Sequence, residues 1–219
     1  MFDQLEVYDD AAPRSPALNM ALDEALLESA VSPILRFYRW RRPAVSFGYF
    51  GFLVEAKDQA RDREIIRRWT GGGIVPHGKD LTYSVIIPAA HLLFVRSSLA
   101  IYADLHDAIR QALRENGIEA ALASSAAPKI SGDCFANPVR ADLISDGRKI
   151  AGAAHRRSRA GLLHQGSIQR PSLPERFKHD LARILCAQFE IRSLSQTLLE
   201  RAGNLVESKY GTAGWLARR

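Results

Sequence analysis

The sequence predicts a mixed α/β protein in which helices flank a largely antiparallel sheet. Apolar residues recur at helical spacing in three separate segments, near the start, the middle and the end of the chain. Between these segments lie apolar runs of four to seven residues, which is the length of strands. Turn residues rather than helices join several of these runs. This favours hairpins over the repeated strand–helix–strand units of a parallel sheet.

The first half of the chain begins with a predicted helix. Leu18, Leu22 and Leu26 form its apolar stripe, and Asp23 and Glu24 lie off that stripe. The elements that follow are four strands and a short charged surface helix: strands at residues 34–38, 44–47, 64–68 and 81–87, and the helix at residues 55–63.

The second half contains a long helix and a hairpin. Ser97 or Ser98 caps the helix, which ends at Asn116 and Gly117. The pair Asp146-Gly147 is typical of a type I′ turn, so the strands on either side of it are expected to pair. The remaining predicted elements are these two strands, at residues 142–144 and 149–153, a strand at residues 162–168 and a helical pattern from Pro174.

Length and composition favour one domain. A chain of 219 residues with 47% hydrophobic content can bury one sizeable core. We therefore expect a single domain over residues 1–219 with a helical tail from about residue 174 to residue 219. The N-terminal residues are acidic and do not resemble a signal peptide, and no apolar run approaches the ~18 residues of a membrane-spanning helix. The two cysteines lie far apart, so we expect no disulfide framework and a cytoplasmic location.

The chain is basic, with a formal net charge of +6 and a pI of about 9.6. A negatively charged partner is therefore expected. The basic residues are spread along the chain, and the sequence has no zinc-finger spacing, RNA-recognition signature or helix-turn-helix pattern. These features do not favour nucleic acid, and an acidic protein satisfies the same electrostatics.

A glycine-rich segment, RRWTGGGIVPHGKD at residues 67–80, is the first candidate binding site. Glycine lets backbone N–H groups approach a ligand closely, and the two arginines supply charge for a carboxylate or phosphate. A hairpin turn with surface arginines is the alternative interpretation. The segment also nearly matches a phosphate loop. However, Asp80 replaces the Ser or Thr that binds magnesium, and a strand follows where a helix is needed.

A second segment, residues 132–168, reads GDCFANPVRADLISDGRKIAGAAHRRSRAGLLHQGSI. Together with the glycine-rich segment it resembles the lipoate-protein ligase and octanoyltransferase family. The motifs that carry the resemblance occur in the family's order: LNMALDEALL, LRFYRWRRPAVSFG, RRWTGGG, DLTYS, DCF, GRKIAGAA and HQGSI. The resemblance implies a single catalytic domain of the biotin/lipoate protein ligase type.

Cys134 is the candidate nucleophile. It lies in an irregular segment just before Phe135, and loops carry reactive groups more often than they bury thiols. A buried, inert cysteine is the usual alternative, and Cys186 fits that description within an apolar helical pattern. The resemblance favours a nucleophilic Cys134, because cysteine-using octanoyltransferases have a cysteine before phenylalanine at this place. ATP-dependent lipoate ligases generally lack it.

Lys149 is the second candidate catalytic residue. It opens a strand after a tight turn, and small apolar residues follow it, so its ammonium group is expected to lie beside closely packed backbone. A confined ammonium stabilises a thiolate or a developing oxyanion. A solvated strand lysine is the commoner alternative. The resemblance implies that the lysine of GRKIAGAA contacts the acyl carbonyl or the activated acid.

The other candidates are expected to form an apolar tunnel for an acyl chain. Glycines of the first motif form one wall, because backbone without side chains leaves the chain room to lie flat. The expected binding residues of the two motifs, apart from the histidines, are Arg68, Trp69, Gly71, Gly72, Gly73, Gly152 and Ala153. Lys149 is expected at the carbonyl end of the chain.

Three histidines lie in these motifs. The family commonly has His followed by Asp after the glycine loop, whereas this chain has His77 followed by Gly78, which leaves an acid–base role of His77 open. His164 is expected to shape the pocket floor as a structural histidine, and His155 has no assigned role. No cluster of His, Cys and carboxylates has the spacing of a metal site, so no metal is expected.

The resemblance implies an octanoyltransferase. Its expected donor is octanoyl acyl-carrier protein, its acceptor is a lysine of a lipoyl domain or of the glycine-cleavage H protein, and no cofactor is required. The main alternative is a lipoate-protein ligase, which uses ATP and magnesium to form lipoyl-adenylate. Two further candidate functions are that of an amidotransferase, which moves octanoate between lipoyl proteins, and, least favoured, that of a non-catalytic lipoyl-domain or nucleic-acid-binding module. Neither nucleic acid nor a membrane is an expected partner.

Overall fold

The computed structural model describes residues 1–126, 135–169 and 172–218. Its strands are β1 (Glu6–Arg14), β2 (Ile34–Trp40), β3 (Ala44–Phe47), β4 (Glu64–Arg67), β5 (Val75–His77), β6 (Leu81–Pro88), β7 (Ala121–Leu122), β8 (Leu143–Ser145), β9 (Arg148–Arg157), β10 (Gly161–Ile168) and β11 (Glu190–Ile191). Its α-helices are α1 (Pro16–Ser29), α2 (Leu53–Ala60), α3 (Ser98–Glu115), α4 (Phe177–Leu185), α5 (Gln196–Leu205) and α6 (Ala213–Leu216). A 3-10 turn at Leu92–Val95 and a π-helical turn at Val206–Tyr210 complete the regular structure of these residues.

The strands form an eight-stranded sheet, in the order β11-β1-β2-β6-β10-β9-β8-β7, and a three-stranded sheet, β4-β3-β5. In the larger sheet β1 runs parallel to β2 and β11, and the other neighbouring strands are antiparallel. In the smaller sheet β3 is parallel to β4 and antiparallel to β5. The prediction of a mixed, largely antiparallel sheet flanked by helices is therefore confirmed.

Local signals in the sequence mark two of these elements correctly. Asp146 and Gly147 have positive φ angles of 50° and 70°, as the predicted type I′ turn between β8 and β9 requires. Ser97 is the N-cap of α3, because its Oγ accepts a hydrogen bond from the Ala100 N–H at 3.2 Å. Both predictions rest on interactions between residues that are close in sequence, and these interactions are present in the folded chain.

Alternate residues of the central strands face opposite helix layers. Leu35, Phe37 and Val85 belong to the core cluster formed with α3 and α4. Ile34 and Ile86 belong to a cluster formed with α1. The larger sheet is thus a central layer, with α3 and α4 on one face and α1 on the other. Among the described residues, no helix is both long and apolar enough to cross a bilayer.

Helix α1 is buried on more of its surface than the predicted single apolar stripe requires. Asp23 is 0% exposed and Glu24 is 7% exposed, although both lie off the leucine stripe. The reason is that α1 contacts the larger sheet, α5 and the π-helical turn, which together cover most of its surface. The buried carboxylates have charged partners, as burial requires: Arg36 Nη1 lies 2.8 Å from Asp23 Oδ1, and Lys209 Nζ lies 2.6 Å from Glu24 Oε2.

Candidate active site

A narrow cavity lies where the two sheets and α1 meet. Its walls come from α1, β2, β6, β9 and β10 and, across the cavity, from β3, β5 and the glycine-rich segment. The structure places five of the residues predicted from sequence in these walls: Arg68, Gly72, His77, Gly152 and Ala153. The two motifs, about eighty residues apart in the chain, therefore meet at one site.

The glycine-rich segment connects β4 to β5, which lie on opposite sides of β3. It is therefore not a hairpin turn, because the two strands it joins do not pair with each other. Gly72 has a φ of 87°, and a Cβ atom there would lie 3.5 Å from Ala154 Cβ across the cavity lining. A Cβ at Gly48 would lie 2.1 Å from the Gly72 carbonyl oxygen, so the backbone of the preceding motif packs directly against this segment.

The two arginines before the glycines bind the protein's own backbone. Arg68 Nη2 donates to the carbonyls of Gly71 and Gly73, at 2.9 Å each. Arg67 is 1% exposed. Its guanidinium donates to five backbone carbonyls, those of Tyr49, Gly51, Trp215, Leu216 and Arg218. The expectation that both arginines supply charge to a ligand is wrong for Arg67, because its donors are directed at these carbonyls.

His77 has a hydrogen-bond partner on each ring nitrogen. Its Nε2 lies 2.6 Å from Ser46 Oγ, and its Nδ1 lies 2.8 Å from Asp80 Oδ2. The ring also stacks on Trp40, with centroids 4.2 Å apart. Although Gly78 directly follows His77, Asp80 provides the carboxylate partner three residues after the histidine. Sequence reasoning considered Asp80 only as a mismatch to a phosphate loop and missed this pairing.

Asp80 is held in its charged form. Burial opposes the ionisation of its carboxyl group, but the electrostatic attraction of His77 and hydrogen bonds from His77, Ser167 and the Gly78 N–H outweigh that penalty. The result is a pKa of about 2 for Asp80. The charged Asp80 holds the His77 ring in its orientation at the cavity wall through this hydrogen bond.

Lys149 lies against the same cavity, at Gly152. Its side chain is only 2% exposed, and its Nζ lies 2.8 Å from Asp142 Oδ2. A Cβ at Gly152 would lie 2.3 Å from Lys149 Cε and 2.6 Å from its Nζ, so the lysine crosses the space that only glycine leaves open. This geometry excludes a solvated strand lysine. It agrees with the expectation of an ammonium confined by small residues.

Cys134 lies outside the described residues, which resume at Phe135. The centroid of the Phe135 ring lies 5.2 Å from Lys149 Nζ. Cys186 is 3% exposed, and its Sγ donates to the Gln188 carbonyl at 2.9 Å. The prediction that Cys186 is a buried core thiol is confirmed.

Trp69, Gly71, Gly73 and His164 are not among the described residues that line the cavity. The indole of Trp69 packs into the core clusters around α1 instead. Lys209 Nζ lies 4.4 Å from the centroid of that indole. The expectation was that Trp69 completes the tunnel wall. Its ring packs against α1 instead and does not line the cavity.

His164 lies on the face of β10 opposite the cavity. Alternate strand residues face opposite ways, so Gln165 lines the cavity while His164 Nε2 lies 3.0 Å from the Tyr83 hydroxyl. The other ring nitrogen of His164 lies 2.5 Å from His155 Nε2. Burial lowers the pKa of His164 well below its usual value, and burial together with the neighbouring His106 lowers that of His155 to about 4. Both imidazoles therefore favour the uncharged form, and the described residues contain no candidate metal cluster.

Comparison with known proteins shows a family and several relatives to which this sequence is similar. Residues 15–196 match the family described as the lipoyl protein ligase A/B catalytic domain. Octanoyltransferase LipM of Oceanobacillus iheyensis is 39% identical over 165 residues, which cover 71% of this chain and 60% of the relative. Octanoyltransferase LipM of Bacillus subtilis is 36% identical over 177 residues, which cover 74% of this chain and 64% of the relative. The chain thus spans less than two thirds of the length of these relatives.

Solved structures share the fold over nearly the whole chain. A protein of T. acidophilum with bound lipoic acid has a TM-score of 0.79 at 21% identity, over 98% of both chains. A lipoate-protein ligase A bound with ATP has a TM-score of 0.78 at 22% identity, again over 98% of both chains. The similarity in fold agrees with the match to the family, which covers most of the sequence. The chain belongs to the lipoyl protein ligase A/B catalytic domain family.

Proposed function

We propose that the protein is an octanoyltransferase of protein lipoylation. It moves an octanoyl group from acyl-carrier protein to a lysine of a lipoyl domain or of the glycine-cleavage H protein. The observation that carries this proposal is the position of the Lys149 ammonium. It lies next to Gly152, which lines the cavity. The relatives named octanoyltransferase support the choice of acyl group.

The cavity suits an alkyl chain that ends in a reactive carbonyl. Gly72, Gly152 and Ala153 present little side-chain bulk along its walls. Burial of each methylene in such a site contributes about 0.8 kcal/mol. Arg68 supports the wall by holding the carbonyls of Gly71 and Gly73. We assign the carbonyl end of the chain to Lys149, the charged group nearest to Gly152.

The reaction proceeds through an acyl-enzyme on Cys134. The Cys134 thiolate attacks the thioester carbonyl of the donor, the carrier's thiolate leaves, and octanoyl-Cys134 remains. The Lys149 ammonium stabilises the oxyanion of the tetrahedral intermediate. The neutral acceptor amine then attacks the acyl-enzyme, an amide forms, and the Cys134 thiolate is released as the amine loses its proton. Thioester exchange is nearly isoergic and amide formation is downhill, so no ATP is required.

The position of Phe135 supports Cys134 as the nucleophile, because the residue that follows Cys134 in sequence contacts Lys149. Incubation with octanoyl carrier protein is expected to give one octanoyl adduct on Cys134, measured by mass spectrometry. Cys134→Ala is expected to abolish both the adduct and transfer. Cys186→Ala is the matched control, since its thiol is buried in the core, and it retains both. Undiminished transfer by Cys134→Ala would refute this mechanism.

An ATP-dependent lipoate-protein ligase is the second candidate. The shared fold with a ligase bound to ATP favours it. A paired assay separates the two functions. Lipoate-dependent exchange of pyrophosphate into ATP supports the ligase, whereas transfer from octanoyl carrier without that exchange supports the transferase. Supplying an octanoylated lipoyl protein as the donor, in place of the carrier, tests the amidotransferase.

A further inference from the structure

We propose that Asp142 and Tyr102 form a positioning pair that holds the Lys149 ammonium at the cavity wall, where the acyl carbonyl binds. The inference rests on the proposed function, because Lys149 is the catalytic group through which the pair acts. Neither residue lines the cavity among the described residues, so both act on the reaction through their neighbours.

Asp142 collects three hydrogen-bond donors. Its side chain is fully buried. Lys149 Nζ lies 2.8 Å from Oδ2, the Val139 N–H donates to the same oxygen at 2.6 Å, and the Tyr102 hydroxyl donates to Oδ1 at 2.5 Å. A buried carboxylate with its oxygens bound in this way has little freedom to rotate. The ammonium paired with it is correspondingly fixed.

Tyr102 connects this carboxylate to the cavity wall. Its hydroxyl donates to Asp142 and accepts a hydrogen bond from the Ala153 N–H at 3.1 Å. Ala153 lines the cavity, so one hydroxyl joins α3, the carboxylate and the wall. Burial and the adjacent Asp142 raise the pKa of Tyr102 well above its usual value, so the hydroxyl keeps its proton and remains a donor.

The path of the lysine side chain supports a positioning role. Lys149 reaches Asp142 across Gly152, where a Cβ would lie 2.3 Å from Cε. A side chain at position 152 would push the ammonium away from both the carboxylate and the wall. A buried ion pair contributes little net stability compared with apolar residues of similar size. Placement of the ammonium is therefore the larger consequence of the pair.

The test uses two variants, each with a matched control. Asp142→Asn keeps the shape of the side chain and removes its charge, and Tyr102→Phe removes only the hydroxyl. The controls are Asp107→Asn on the surface of α3 and Tyr8→Phe on β1. We expect Asp142→Asn to lower the kcat of octanoyl transfer about 10²-fold, the size of effect that misplacing a reacting group produces, with KM for the octanoyl carrier nearly unchanged. Tyr102→Phe is expected to show a smaller loss in kcat, and both controls keep the parental kcat.

A double-mutant cycle separates positioning from general support of the fold. In a Lys149→Met background, Asp142→Asn is expected to cause no further loss, because the group through which it acts is gone. If Asp142→Asn lowers kcat by the same factor in the Lys149→Met background as in the parent, the proposal is overturned. A parental kcat in Asp142→Asn overturns it as well. If Asp142→Asn does not fold, as judged by thermal unfolding, the same cycle with Tyr102→Phe decides. A parental protein that transfers no octanoyl group from any donor refutes the proposed function instead.

Discussion

At the scale of single residues, the site depends on positions where a side chain would collide with backbone or with Lys149. Gly48 and Gly152 meet this condition, whereas a Cβ at Gly72 would contact two side chains instead. Gly48 lies against the Gly72 carbonyl, Gly72 lies against Arg68 and Ala154, and Gly152 lies under the Lys149 side chain. Of these positions, Gly72 also has a positive φ, so its substitution combines backbone strain with loss of space in the cavity.

Gly72→Ala is expected to impair transfer beyond what backbone strain explains. Its Cβ would lie 3.3 Å from Arg68 Nη2 and 3.5 Å from Ala154 Cβ, at the cavity. Gly117 is the matched control, because it has a similar φ of 71° and open space around its Cβ. Both alanine variants should lose about 1 kcal/mol in the free energy of unfolding by urea. Only Gly72→Ala should lose activity with octanoyl donors relative to shorter acyl donors, and equal losses in both variants would count against a cavity wall at Gly72.

Asp80 is expected to make stability depend on pH in acid. Its pKa falls from 3.8 to about 2 on folding. The stabilisation, about 2 kcal/mol for a shift of this size, is therefore complete above about pH 4 and is lost as the pH falls through about 2. Urea unfolding between pH 5 and pH 2 should show this decline, and Asp80→Asn should flatten it. Asp62→Asn, at an exposed site, should leave the curve unchanged. A parental curve in Asp80→Asn would mean that another group causes the decline.

At the scale of elements, the sequence predicts what local patterns encode. The apolar runs of β2, β6 and β10 and the capped helix α3 were correctly predicted, because each carries its own periodicity or cap. Strand β1 has few buried residues, and its pairing with β2 and β11 brings together distant parts of the chain, so no local pattern marks it. Sequence motifs also indicated Lys149 and Gly72 at the site. They did not indicate Asp142 or Tyr102, whose roles depend on contacts made only in the folded chain.

Asp23, a buried carboxylate on α1, is expected to contribute strongly to the free energy of unfolding. Asp23 pairs with the fully buried Arg36, and it also accepts hydrogen bonds from Ser84 and Gln165. Asp23→Ala would leave the Arg36 guanidinium short of a partner, so we expect a loss of about 3 kcal/mol in the free energy of unfolding. The control is Glu28→Ala on the same helix, whose exposed pair with Arg201 should contribute little to stability because solvent screens it. Similar losses for the two variants would contradict this account of α1.

At the scale of the whole molecule, the C-terminal segment is fastened to the strand that leads into the site. Arg67, the last residue of β4, donates to carbonyls of residues 215, 216 and 218, and the Trp215 indole N–H donates back to the Arg67 carbonyl at 3.0 Å. The next residue, Arg68, holds two carbonyls of the glycine-rich segment. One arginine pair therefore connects the C-terminal helices to the cavity wall. Sequence reasoning assigned both arginines to a ligand because a charged pair beside glycines does not reveal which backbone carbonyls lie nearby.

Arg67→Lys is expected to release the C-terminal segment. A lysine keeps the charge but has a single donor group, so it cannot reach the carbonyls of residues 49, 51, 215, 216 and 218 together as the guanidinium fork does. Hydrogen bonds to charged groups contribute about 1.5–3 kcal/mol each, so the variant should lose about 3 kcal/mol in the free energy of unfolding. Amide hydrogen exchange should quicken first at Leu216, the last residue of α6, and at Ala217, which caps that helix, before it changes in β6 or β10. Arg42→Lys, at an exposed turn, should change neither quantity. Unchanged exchange in α6 of Arg67→Lys would mean that the packing of Trp215 and its hydrogen bond to the backbone carbonyl of residue 67 hold the segment in place.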